Sequence, residues 1–182
     1  MPTVCVPLAP GFEEIEAVTI IDVLRRAEVQ VSVLALNGSS VTGAHGLTLS
    51  VDGQLADHAD TDFDMVVLPG GLPGATNLRD DANVQALLKR QHAAGRKLAA
   101  VCAAPIALAA AGVLAGKRAT SYPGFGDQLG DAEYCETRVV RDGNVTTSRG
   151  PGTSLEFALD LVVQLVDSDT ATALREGMLV AN

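Results

Sequence analysis

Three times along the chain a short, wholly apolar run breaks off and gives way to apolar residues at helical spacing. Val4 to Leu8 ends at Pro10-Gly11 and is followed by Ile15, Val18, Ile21 and Leu24, as far as Arg25-Arg26. Met65 to Leu68 ends at Pro69-Gly70-Gly71, and Val84 to Ala94 then carries Leu87, Leu88 and Gln91 in helical register behind Asp80-Asp81. Leu98 to Val101 runs into Ala104 to Leu114. Strands that are apolar on both faces suit a parallel sheet, whose neighbouring strands must be joined by long crossovers that are usually helices. Val29 to Leu36, rich in β-branched residues and stopped by Asn37-Gly38, adds a strand parallel to the first. The expected fold class is therefore α/β, with a mostly parallel sheet and helices on both faces. Ligands of such sheets bind beyond the carboxyl ends of the strands, so those ends hold the candidate chemistry.

Between these units, Ser39 to Asp62 reads as a short hairpin or edge excursion around the alternating Leu47–Val51, and Ala119 to Tyr122 as a short strand. Val139-Val140 and Val145–Thr147 flank Asp142-Gly143-Asn144, a strong hairpin turn. Thr153-Ser-Leu-Glu156 has the pattern of a capping box opening a helix through Leu155, Leu159, Val162 and Val166, and a last helix is expected from Asp169 to Met178.

Composition removes several functions. With 182 residues, 47% of them hydrophobic, the chain suits a single domain over residues 1–182 with a core that needs no staples. A formal charge of −9 opposes a phosphate-binding surface, and 3% aromatic residues without tryptophan leave no stacking platform, so no nucleic acid partner is expected. Cys5, Cys102 and Cys135 are widely spaced with no Cys-x-x-Cys pair, which is neither a disulfide framework nor a zinc site and points to a reducing cytoplasm. The first residues lack a basic segment before their apolar run and read as a strand, not a signal peptide. Leu98 to Gly116 holds 19 uncharged residues between Lys97 and Lys117. Its alanine content, with Pro105 and Gly112 inside, reads as a strand running into a helix, so no membrane partner is expected either.

Three strand ends carry reactive groups. Cys102 stands at a sharp strand-to-helix turn, where backbone N–H groups favour a thiolate, as in a nucleophile elbow; a buried core cysteine fits the same position. Gly70-Gly71 lets the backbone approach a ligand and, with the N–H of Ala103, can hold an oxyanion; a plain turn is the simpler reading. In Glu13-Glu14-Ile15-Glu16, Glu16 can turn inward while Glu13 and Glu14 are expected to be solvated, unless all three merely complement the helix dipole.

Four segments in this order, Pro10–Ala17, Val67–Gly71, Ala100–Pro105 and Thr147–Thr153, resemble the DJ-1/ThiJ/PfpI superfamily and within it the DJ-1 and YajL branch, over nearly the whole chain. The resemblance implies a flavodoxin-like three-layer α/β sandwich that forms homodimers and uses no cofactor or metal. It makes Cys102 an oxidation-prone nucleophile, Glu16 its protonated carboxyl neighbour, and Gly71 and Ala103 its backbone donors. Gly70, Tyr122, Ser148 and Arg149 would complete the pocket, Arg149 favouring anions at the dimer boundary. Many relatives place a histidine where this chain has Tyr122, a poor base near neutral pH, which leaves general-base work to Glu16 or water. Peptidases of the PfpI type carry a histidine directly after the cysteine; Ala103 stands there, which argues against proteolysis. His45, His58 and His92 are expected at the solvated surface, with His45 where a dimer mate could bring it near the cleft. Cys5 is expected in the core and Cys135 as an exposed thiol among acids.

The implied activity is that of a cofactor-independent enzyme acting on 2-oxoaldehydes such as methylglyoxal, or on their early adducts with thiols and amines, described in the family both as glutathione-independent glyoxalase and as protein deglycase. The alternative is a redox sensor or stress chaperone in which Cys102 oxidises to a sulfinate without turnover. Glu16→Gln separates them, since turnover needs a proton shuttle and sulfinate formation only a donor.

Overall fold

The computed structural model describes residues 1–181. Its sheet is built from β1 (Thr3–Leu8), β2 (Gln30–Ala35), β5 (Gly53–Gln54), β6 (Met65–Leu68), β7 (Lys97–Val101), β10 (Val139–Asp142) and β11 (Val145–Ser148), and two small ribbons stand apart, β3 (Ser40–Thr42) with β4 (Thr48–Ser50) and β8 (Arg118–Ala119) with β9 (Glu133–Tyr134). The helices are α1 (Glu14–Arg26), α2 (Gly74–Asp80), α3 (Ala82–Ala93), α4 (Pro105–Ala110), α5 (Ser154–Leu165) and α6 (Ser168–Gly177).

The strand order is β10-β11-β7-β6-β1-β2-β5, and every pairing is parallel except β10 with β11. α1, α5 and α6 pack together on one side, and α2, α3 and α4 on the other, giving the expected flavodoxin-like three-layer sandwich. All four residues of β6 are fully buried, as are Leu98 to Val101 of β7, which explains why these strands are continuous apolar runs rather than alternating ones. Because β1 pairs with both β2 and β6, the chain reverses its direction of travel across the sheet there; the crevice at such a switch point is where these folds place ligands. Among the described residues no helix is long and apolar enough to cross a membrane.

Several elements depart from the sequence expectation. Only the second half of the α1 stripe faces the core: Ile15 and Val18 are exposed and Ile21 half-buried, while Leu24 is buried together with Glu14, Glu16, Ala17, Ile20 and Val23. The helix expected from Ala104 to Leu114 is regular only over Pro105–Ala110, then continues as turns through Gly112 and Gly116, both at positive φ. Ala119–Tyr122 contributes only Ala119 to strand pairing, in the ribbon with β9. α2 has no apolar periodicity in sequence and was not expected. The capping box at Thr153 does not form. The Thr153 hydroxyl instead accepts from the backbone N–H groups of Arg149 and Gly150, at 3.3 and 3.1 Å, and Glu156 pairs with Arg138. A 3-10 turn over Pro151–Thr153 leads directly into α5, and the Thr153 hydroxyl faces back into that turn.

Candidate active site

The carboxyl ends of β1, β6, β7 and β11 converge because these strands run parallel. Past β1, Glu13 caps α1: its carboxylate accepts the backbone N–H of Glu16 at 2.7 Å, and its own N–H donates to the carbonyl of Gly70 at 2.9 Å. That cap fixes the first turn of α1 so that Glu16 points inward, fully buried. Glu16 Oε2 accepts the N–H of Gly70 at 2.8 Å, and Oε1 is buried without a regular partner. Cys102 and this carboxyl both lie against Gly70, which sets thiol and carboxyl side by side.

Gly70 has no room for a side chain. A Cβ there would lie 2.6 Å from Cys102 Cβ and 2.7 Å from Glu16 Oε2, so its hydrogen is what lets thiol and carboxyl meet. Gly71 sits at φ +91° with an imaginary Cβ 2.3 Å from the backbone nitrogen of Glu13, and its N–H, like that of Ala103, is directed at the Cys102 sulfur. Cys102 itself has φ +63°, a left-handed conformation that costs a non-glycine residue about 1–3 kcal/mol. Two backbone bonds from distant segments hold it there: its N–H donates to the carbonyl of Ser148 at 3.0 Å, and its carbonyl accepts the N–H of Tyr122 at 2.8 Å. This is the strained, turn-borne geometry of a nucleophile elbow.

The two acids are coupled. Burial pushes the Glu16 carboxyl up to about 7, with the Glu13 charge adding to it, while hydrogen bonds from Cys102 and Gly70 oppose the rise. Burial likewise pushes the Cys102 thiol up to about 12, helped by the Glu16 charge and opposed by the N–H groups of Gly71 and Ala103. The thiolate-favouring influence expected of a helix start is outweighed here, because α4 begins only at Pro105 and the sulfur is almost wholly enclosed. Once Glu16 holds a proton, the carboxylate charge opposing the thiolate disappears and the two N–H donors face burial alone.

The remaining pocket residues take supporting places. Ser148 contributes its carbonyl to Cys102, while its hydroxyl donates to the Arg138 carbonyl and meets the Thr153 hydroxyl, both at 2.7 Å. Arg149 donates to the carbonyls of Ser121 and Glu136, at 3.3 and 3.2 Å, and thereby braces the segment that carries Tyr122. Tyr122 reaches Cys102 through its backbone; its ring is half exposed beside Gly150, and among the described residues its hydroxyl makes no hydrogen bond.

Glu13 and Glu14 are buried, not solvated. Burial works against the Glu14 charge, yet hydrogen bonds from the side chain and backbone of His45 and from the backbone of Leu47 hold it below the usual carboxylate range. The His45 pair joins residues 31 positions apart, and no local sequence signal announces it. His58 packs against Phe63, just ahead of β6 and at the opposite end of that strand from Gly70, and His92 is half-buried on α3. Cys5 lies in the core, its thiol pushed up to about 12 by burial, and Cys135 is half-buried beside the Arg118 guanidinium as well as its acidic neighbours.

Known proteins resemble this chain over nearly its whole length. Protein dj-1beta of Drosophila melanogaster is 44% identical over 177 residues, covering 96% of this chain and 95% of that protein. The crystal structure of Drosophila melanogaster DJ-1beta superposes with a TM-score of 0.96 at 43% identity, covering 100% of this chain and 99% of the other. A protein of Caenorhabditis elegans named glutathione-independent glyoxalase DJR-1.2 is 34% identical, covering 93% of this chain and 91% of its own length. The model of the DJ-1/PfpI family matches residues 2–164, and with a cysteine elbow, an inward glutamate and a double-glycine turn at the switch point, the chain belongs to that family.

Proposed function

We propose that the protein is a cofactor-independent cysteine enzyme that converts 2-oxoaldehydes, with methylglyoxal as the test substrate, into 2-hydroxy acids. The observation that carries this reading is the meeting of Cys102 and Glu16 across Gly70, with two backbone N–H groups aimed at the sulfur. The name of the nematode relative supports the substrate class.

The Cys102 thiolate adds to the aldehyde carbon, forming a C–S bond, and the carbonyl electron pair moves to oxygen beside the N–H groups of Gly71 and Ala103. Glu16 gives its proton to that oxygen, completing a hemithioacetal. As a carboxylate it then takes the proton from the same carbon, giving an enediolate, and returns it to the adjacent carbon while the hydroxyl proton of the first carbon passes to the oxygen of the second. The product is a thioester of the 2-hydroxy acid on Cys102, and water cleaves it, releasing lactate and regenerating the thiol. Methylglyoxal and one water make one lactate, so no oxidant or cofactor is consumed. A carboxyl poised near 7 suits a group that must both give and take a proton near neutrality.

Exposed Ile15, Val18 and Leu47 give α1 and the loop beside it an apolar surface suited to a second copy of the chain, and the homodimer implied by the resemblance belongs to the same proposal.

The test is lactate formation from methylglyoxal without glutathione, by the wild type and by Cys102→Ser. Turnover that vanishes in the variant supports the reading. No turnover by the wild type, or equal turnover by both, overturns it, and oxidation of Cys102 to the sulfinate, followed by mass, becomes the activity to pursue.

A further inference from the structure

The loop between β3 and β4 rests on the start of α1. The N–H of Gly11 donates to the Thr42 carbonyl at 2.9 Å, that of Ala44 to the Phe12 carbonyl at 2.8 Å, and that of His45 to Glu14 Oε1 at 2.6 Å. The His45 ring closes the contact: Nδ1 lies 2.9 Å from Glu14 Oε2 and 4.0 Å from Glu13 Oε1. Within a single chain the ring is 72% exposed, while the two carboxylates beneath it are buried. Glu13 is also the residue that caps Glu16 and donates to Gly70. One short path thus runs from an exposed imidazole through two buried carboxylates to the carboxyl–thiol pair.

We propose that His45 is a positioning residue of the Cys102–Glu16 site, which through Glu14 and Glu13 makes the charge at the start of α1, and with it the reactivity of the Cys102 thiol, dependent on pH. The inference rests on the reading of Cys102 and Glu16 as the reactive pair. Among the described residues, Glu13 and Glu14 are the only titratable groups acting on His45, and those acting on Glu16 are Glu13 and Cys102. When protonated, His45 offsets negative charge beside Glu16. When it loses its proton, that charge stands uncompensated, and both Glu16 and Cys102 hold their protons more firmly. The pairing with Glu14, followed by the Glu14 and Glu13 charges, raises the pKa of His45, so the change takes place above the ordinary imidazole value of about 6.5.

The probe is alkylation of Cys102 by iodoacetamide, quantified on the Cys102 peptide by mass spectrometry from pH 5.5 to 9, in the wild type, His45→Gln and His45→Lys. Removing a partly screened unit charge from the far side of the Glu13–Glu14 pair displaces the Gln profile alkaline by about half a pH unit on the acid side, and it rejoins the wild type once His45 has titrated. His45→Lys, charged throughout, follows the wild type on the acid side and stays the more reactive above it. Superimposable profiles overturn the proposal. So does a change of rate that is the same at every pH in both variants, which a purely structural role for the loop would give, and so does a thiol that resists alkylation throughout. Alkylation needs no aldehyde turnover, so the outcome is separate from that of the methylglyoxal assay.

Discussion

Replacing Glu16 by glutamine should make the protein more stable, and only above a definite pH. Gln keeps the shape of the side chain and an oxygen for the Gly70 N–H, but can never carry charge. The difference between about 7 for Glu16 in the folded protein and the ordinary 4.5 corresponds to about 3 kcal/mol. Below pH 4.5 the carboxyl is protonated whether the chain is folded or not, and the wild type carries no penalty. Between 4.5 and about 7 the folded state binds the proton that the unfolded state has released, so wild-type stability falls as pH rises. Above about 7 the full cost of an ionised, enclosed carboxylate is present, and the variant, which lacks it, leads by about 3 kcal/mol. Urea unfolding of both proteins at intervals from pH 4 to 8 measures the gap directly. A gap that does not widen across that range would mean that Glu16 ionises in the folded protein no later than in the unfolded chain, and the account of the coupled pair would fall with it. The same variant should lose methylglyoxal turnover, so stability and proton transfer would move in opposite directions at one position.

Gly70→Ala should destabilise the fold by about 1–3 kcal/mol, because its methyl meets Cys102 Cβ and the Glu16 carboxyl at once, and should slow Cys102 alkylation; chemical unfolding together with labelling kinetics checks both. Thr153→Ala leaves the N–H groups of Arg149 and Gly150 without their buried partner and takes one of two partners from the Ser148 hydroxyl, at about 1–3 kcal/mol, whereas Glu156→Gln touches only an exposed ion pair worth about 0–1 kcal/mol. Equal losses in the two variants would restore the capping box that the structure replaces.

The β-α-β alternation was legible because strands buried on both faces must be apolar throughout, as in β6 and β7. α2 was not, since its seven residues carry no stripe and are held by packing against α3 and α4. The meeting of Cys102, Glu16 and the double glycine could be read from three strand ends, because a parallel sheet brings its carboxyl ends to one edge. What could not be read was how the first turn of α1 is arranged. Periodicity places Ile15 and Val18 inward and leaves Glu13 and Glu14 in solvent, whereas the structure buries those two acids beside the inward-turned Glu16 and leaves the two apolar side chains outside. Glu14 is held by His45 and Glu16 by Gly70, groups remote in sequence that no local pattern encodes, while the Glu13 carboxylate caps the helix locally through the Glu16 N–H. Thr153 shows the opposite failure: the local pattern was present, but nearer backbone donors took the hydroxyl.

Cys102 is clasped on both sides by segments that follow it in the chain, Tyr122 at its carbonyl and Ser148 at its N–H. During synthesis the cysteine, the glutamate and both glycines therefore emerge from the ribosome before the residues that force the elbow into its left-handed shape. A growing chain that ends short of Ser148 possesses every reactive group and no reactive site. The pairing of Cys102 with Glu16 is assembled only when β11 docks beside β7, so a newly made molecule lacks the site until its last third has found its place.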